Sequence, residues 1–374
     1  MTNNDLNLSN YTALGQAAWL DRTHYGQLRL SGADRVDFLQ RMTTNHIARL
    51  QPGQAAVTVL TSPTARIMFV FTVLCRADDL ILLPAGPHQL DALAKHLRGQ
   101  IFFMDKVTVH EMPEYTRIRV VGAQAAQRLA TVHAPVAELP DGAFIEHSAG
   151  ILLNQQALDL PGYEALVTGL SISSLRYELQ IIGIPDISDA AAYTARRVEL
   201  GRPAAPTELN DGYNPLEAGL AWTCAENKGC YTGQEIIARQ ITYDKVTRTL
   251  VGVQSPTPLT PGAKITIDGK QAGTVTTAAY SPALQSHLAL AVVRRPHNVA
   301  GQAVEVASEI AAAAETASSE NGNTTNGDAP NGVAGSADAP PAIAARIIDL
   351  PLVTDAAPTS SVSVSASVDE VGQA

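Results

Sequence analysis

The chain has 374 residues, 45% of them hydrophobic, a formal net charge of -10 and three cysteines. The length supports a sizeable core in more than one lobe, and the acidic balance without a basic run argues against double-stranded nucleic acid as a general partner, so no direct DNA binding is expected. Cys75, Cys224 and Cys230 are too few for a disulfide scaffold and suit a reducing compartment.

The first ten residues are polar and carry neither a signal nor a transit pattern, and no apolar stretch reaches membrane-spanning length. A cytoplasmic protein without a membrane anchor is expected. Gln27 to Leu30 reads as a strand ended by Ser31-Gly32, and Ser31 with Asp34 has capping-box spacing before a helix from Ala33 to about Met42. Ala55 to Leu60 and Arg66 to Leu74 read as paired strands, the second apolar enough for burial on both faces. Asp78-Asp79 is the hairpin turn into a strand from Leu80 to Leu83. Pro87 suits a helix start, with Leu90, Leu93, Ala94 and Leu97 on the buried face. Arg117 to Val121 is a further strand and Ala123 to Ala130 a short helix. Phe144 to Ile151, Glu164 to Thr168 and Leu175 to Leu179 are strand candidates, and Ala190 to Leu200 is a helix.

After Gln240 the texture changes to short strands between Pro or Gly turns: 249–253, 263–267, 272–277, 288–293 and 303–306. This spacing is that of a small all-β domain, a barrel. Glu309 to Pro341 is Ala, Ser, Asn, Gly, Thr and Pro with nothing to bury, and reads as a disordered insertion in the barrel, because Arg346 to Leu350 is one more strand. Thr354 to Ala374 reads as a disordered tail. The expected domains are 15–115, 116–240 and 246–353.

The segment Lys228-Gly229-Cys230-Tyr231-Thr232-Gly233-Gln234-Glu235 concentrates site-type residues. Thr232 and Glu235 are spaced as a capping box for a helix from Gly233, which sets Cys230 two residues before a helix N-terminus. Helix amides and the Lys228 ammonium both favour a thiolate. Cys224 and Cys75 read as core residues. No histidine is adjacent in sequence, although the fold could bring up His287, and no metal-ligand spacing is present. Arg196-Arg197 is either a solvated helix face or a fork for an anion. No glycine-rich phosphate loop occurs in a strand–loop–helix context.

The eight-residue segment resembles the signature of the YgfZ-type folate-binding proteins, within the broader family of the glycine cleavage T-protein. Residues 26–41 with Thr44-Asn45, 197–203 and Pro215-Leu216-Glu217-Ala218 resemble family segments in the same order. The resemblance implies an α+β fold: two α/β domains and a C-terminal antiparallel β-barrel around a central folate-binding channel. It implies tetrahydrofolate or a derivative as cofactor, with no stably bound metal. Its partners would be a reduced folate and iron–sulfur enzymes or assembly factors, with the protein a monomer. Cys230 and Lys228 become the catalytic candidates. Arg197, Tyr231, Gln234, Glu235 and Asn45 become the cofactor-binding candidates.

Two departures stand out. The family's acidic pair falls at Phe69 and Val70, both apolar, and its Gly-Tyr-Thr-Gly-Glu segment is echoed only by Gly162-Tyr163-Glu164. Ordinary aminomethyl transfer is therefore not expected. The leading expectation is a folate-binding protein that assists assembly or repair of iron–sulfur clusters in enzymes such as radical-SAM tRNA-modifying enzymes. A folate-dependent aminomethyltransferase or related one-carbon transferase is the alternative, and a non-catalytic scaffold the second alternative.

Overall fold

A computed structural model describes residues 6–131, 136, 138–170, 172–307 and 342–352. The chain opens with α1 (Leu8–Gln16), whose cap Asn7 accepts from the amides of Ser9 and Asn10, and β1 (Ala18–Asp21). There follow β2 (Leu28–Ser31), α2 (Arg35–Gln40), β3 (Gln54–Thr61), β4 (Ile67–Cys75), β5 (Asp79–Pro84), α3 (Leu90–Gly99) and β6 (Thr108–Glu111). The first sheet has the order β3-β4-β5-β2-β6. The apolar run of β4 pairs on both sides, with β3 and β5, and its second half is buried throughout. This matches the near-continuous hydrophobic pattern of a doubly covered strand. The expected box at Ser31 and Asp34 does not form: the Asp34 carboxylate accepts from the Lys106 amide at 2.8 Å instead of capping α2. Pro87 precedes α3 by three residues, and Leu93, Ala94 and Leu97 form its buried face.

The second lobe holds β7 (Tyr115–Val121), α4 (Ala125–Leu129), β8 (Phe144–His147), β9 (Gly150–Gln155), β10 (Gly162–Thr168), α5 (Ile172–Ile181) and α6 (Ala190–Glu199). Its sheet runs β1-β7-β10-β9-β8, so β1, early in the chain, is an edge strand of the second sheet. One expectation fails here. Leu175 to Leu179 is not a strand but lies in α5, with Leu175 and Leu179 buried one helical turn apart. That i, i+4 pair places both leucines on one helix face, and the polar residues between them cover the outside.

α7 (Gln234–Thr242) follows a long connection, and the chain then enters a closed six-stranded antiparallel barrel. Its strands are β11 (Arg248–Ser255), β12 (Lys264–Ile267), β13 (Lys270–Ser281), β14 (Ser286–Arg294), β15 (Ala303–Ala307) and β16 (Ala342–Ile348), in the order β11-β14-β13-β12-β15-β16. Strand β16 closes the ring against β11 and β15, as the pattern of the last strand requires. The insertion and tail expected at 309–341 and 354–374 lie outside the described residues. Among the described residues no helix is long and apolar enough to cross a membrane.

Candidate functional site

The signature segment docks on the first lobe. Lys228 is buried, and its Nζ donates to the carbonyl of Thr43 and, at 2.6 Å, to that of Asn45. It also lies 5.0 Å from the Tyr231 ring centroid. Burial lowers its pKa to about 8, against a weaker opposing pull from Cys224. Thr61 Oγ1 donates to the Thr232 carbonyl at 2.6 Å. At Gly233 φ is 82° and an added Cβ would stand 2.7 Å from the Ser62 carbonyl oxygen, so this position requires glycine. Gly229 has open space around it. The motif thus staples a late segment of the chain to the turn at 43–45.

That turn builds one wall of a cavity of about 250 Å³ between the two sheets. Asn45 Nδ2 donates to the Val57 carbonyl, its Oδ1 accepts from the His46 amide, and its amide donates to Thr58 Oγ1, which fixes the side chain at the cavity edge. Thr44 Oγ1 donates to the Thr223 carbonyl and the Ala225 amide donates back to Thr44. These bonds hold the neighbouring Trp222, which lines the cavity while remaining 48% exposed. Strand β3 contributes Ala55 and Val57, β4 contributes Thr72, and the opposite wall brings Asp141, Asn154 and Gln155. Asp141 is exposed, and its Oδ1 accepts from the Gln156 amide at 2.9 Å.

A smaller inner chamber, about 70 Å³, adjoins it and shares Thr72 and Gln155 as lining residues. Gln155 Nε2 donates to Thr72 Oγ1 at 2.6 Å, a bond between the opposite sheets. Behind it, Glu164 is held by Arg117 Nε and by Arg119 Nη1, and Asp159 accepts from Arg22 and Tyr193. Burial works against the Asp159 carboxylate, but Arg22 and Arg119 together with the Tyr193 hydroxyl bring its pKa below the usual value.

Residues 11–150 match the family described as the GCVT N-terminal domain, and residues 248–317 match the glycine cleavage T-protein C-terminal barrel domain. A crystal structure of the glycine cleavage system aminomethyltransferase T from Bartonella henselae superimposes with a TM-score of 0.76, covering 92% of this chain and 89% of that one at 19% identity. The mitochondrial aminomethyltransferase of Gallus gallus is 26% identical over 76% of each chain. A chloroplastic protein of Arabidopsis thaliana that bears the name "Putative transferase" is 30% identical over 78% of this chain and 68% of its own length. The chain belongs to the glycine cleavage T-protein family.

On this T-protein scaffold the expected site residues divide. Of the seven, Asn45 alone lines the outer cavity, and Lys228 is tied to it through the Asn45 carbonyl. Tyr231 is buried under the motif, where burial foremost and Cys224 second push its phenol well above the ordinary range. Cys230 is exposed, whereas Cys75 and Cys224 are buried. The Lys228 ammonium couples to Cys224, and burial drives that thiol up to about 11. Gln234 and Glu235 open α7, but the expected capping box is absent: Gly233 is the cap in a left-handed conformation and no side chain caps the helix. An added Cβ would meet the Ser62 carbonyl, so glycine stands at the cap position and Thr232 lies one residue before it.

Arg197 lines neither chamber. Its guanidinium donates to the Arg202 carbonyl, Glu208 and Thr277 Oγ1, and so joins α6 to barrel strand β13. His287 lines a separate cavity beside the barrel that includes no signature residue. Val70 packs in the core, and β4 presents Thr72 rather than an acid to the chambers. The carboxylate lining the outer cavity is Asp141, across from β4. Sequence reasoning missed it because Pro140-Asp141-Gly142 carries only a turn signal. It also missed Trp222, whose position depends on the Thr44 bonds. Among the described residues no three His, Cys, Asp or Glu side chains group as a metal site.

Proposed function

We propose that the protein binds a reduced folate in the outer cavity and uses it in one-carbon transfer of the aminomethyltransferase kind. The observation that carries this reading is the cavity between the sheets, with one exposed aromatic wall, Trp222, and one carboxylate, Asp141. A flat heteroaromatic ring stacks on an indole face, and the side chains of Asn45, Asn154 and Gln155, each already hydrogen-bonded within the protein, shape the space around it. At about 250 Å³ the cavity is near the lower end of ligand sites, so part of the ligand extends past Trp222 into solvent. Asp141 is the proton acceptor for a folate nitrogen in this scheme, a role that β4 does not supply. The aminomethyltransferases among the relatives support the same reading. The test is calorimetric titration with tetrahydrofolate, joined to an assay of methylene-tetrahydrofolate formation from an aminomethyl donor. Saturable binding with turnover that Asp141→Asn removes is expected. Absence of binding at millimolar tetrahydrofolate rejects the proposal.

A second reading is favoured by one observation: Cys230 is exposed on the signature and lies outside both chambers. Such a thiol addresses a partner from the surface, which suits a folate-dependent role in maintaining iron–sulfur enzymes. Complementation of a deletion strain with Cys230→Ser separates the two. Loss of iron–sulfur enzyme activity with transfer activity intact selects the second reading.

A further inference from the structure

The charges that line the inner chamber do not cancel. Three guanidinium groups, Arg22, Arg117 and Arg119, stand with two carboxylates, Asp159 and Glu164. Glu164 is taken by Arg117 and Arg119, and Asp159 by Arg22 with Tyr193. Tyr193 and Tyr25 add no negative charge, because burial pushes both phenols above their ordinary range. Arg22 is 8% exposed, and its Nε is buried with no hydrogen-bond partner, although its two terminal nitrogens donate to Tyr25 and Asp159. The rings of Tyr25 and Tyr193, with centroids 4.7 and 4.9 Å from the Arg22 guanidinium carbon, offset part of the cost of burying an excess positive charge; the rest of that cost remains, and so does that of a buried donor left unused. An anion with two in-plane acceptor oxygens removes both penalties, since it matches the guanidinium fork. The space is about 70 Å³, several times the roughly 15 Å³ that one water needs.

We propose that the inner chamber is a binding site for a small carboxylate anion of one or two carbons, with Arg22 as its principal anchor. Gln155 and Thr72, hydrogen-bonded to each other, line both this chamber and the outer cavity. This site does not depend on the folate reading.

The experiment uses the full chain with formate and acetate as probes. Thermal denaturation is followed against each anion, with chloride at equal ionic strength and benzoate as an oversized carboxylate. Line broadening of ¹³C-formate in NMR reports binding directly. Formate and acetate are expected to raise the melting temperature saturably beyond the chloride curve, and benzoate is not. Arg22→Gln should weaken formate binding by about tenfold or more. Arg22→Lys keeps the charge but lacks the fork, and serves if the glutamine variant does not fold; it too should bind formate more weakly. A wild-type curve that follows ionic strength alone, or a folded Arg22 variant with an unchanged formate midpoint, overturns the proposal.

Discussion

The two chambers share Thr72 and Gln155 yet are built on opposite principles. The outer one is wide, lined by small apolar side chains and amides, and bounded by a half-exposed indole. The inner one is tight and lined by arginines, carboxylates and tyrosines that bond to one another. Buried charges are tolerated when they are paired and hydrogen-bonded, so the inner network is committed to the fold except at Arg22, whose Nε has no hydrogen-bond partner. The outer walls spend their amide groups on neighbouring backbone and side chains and leave a shaped surface for a guest. Proximity to a cavity therefore says little about role; what matters is whether a side chain is already satisfied.

The largest expected effect lies in the inner network. Glu164→Ala leaves Arg117 and Arg119 without their shared carboxylate and should cost about 3–5 kcal/mol of stability in urea titrations. A loss below about 1 kcal/mol would show that this network is not a framework and would erase the contrast between the chambers. In the outer cavity the expectation reverses. Trp222→Ala should weaken tetrahydrofolate binding by about tenfold in calorimetry and leave the melting temperature nearly unchanged. A large drop in melting temperature with unaltered binding would make Trp222 a structural residue.

The staple between the signature and the turn at 43–45 gives a third, smaller effect. The folded-state pKa of Lys228 is lowered to about 8 from 10.5. Between these values the unfolded chain holds more protons than the folded one, so stability rises as pH increases from about 8 toward 10. Below that window both states are protonated and the contribution to the slope disappears. Lys228→Met should flatten the rise, measured as urea midpoints at pH 7.5, 8.5 and 9.5; an unaltered slope would detach Lys228 from it. The smallest effect belongs to Cys230. Cys230→Ser should change stability by less than about 0.5 kcal/mol, and iodoacetamide should label Cys230 before Cys75 and Cys224, whose thiols burial pushes upward. Equal labelling of all three would contradict the exposure difference.

Much of the architecture was legible in the residues because periodicity and turn chemistry act locally. The β-barrel strands announce themselves through Pro and Gly turns, and the pairing of β3 with β4 follows from their β-branched and aromatic runs. Leu175 to Leu179 was ambiguous because two leucines four apart with polar residues between fit a short strand about as well as one helical turn. The capping box failed because Gly233, in a left-handed conformation, takes the cap position one residue after Thr232. The cavity walls were illegible for a different reason. Asn45, Asp141 and Trp222 come from three distant segments, and no local pattern marks their meeting. Arg197 carried the expected chemistry, but Glu208 and Thr277, which occupy it, are remote in sequence.

Strand β1 has a consequence for the birth of the protein. Ala18 pairs with Val121, about a hundred residues later, and the Trp19 backbone bonds to Pro185 and Ile187 beyond that. At about 5–20 residues per second, β1 waits roughly 5–20 s on the ribosome before its first sheet partner emerges. During that interval Trp19, which is fully buried in the finished protein, is part of an unpaired apolar strand open to other nascent chains. The early segment is thus where a holdase would act until β7 emerges to pair with it.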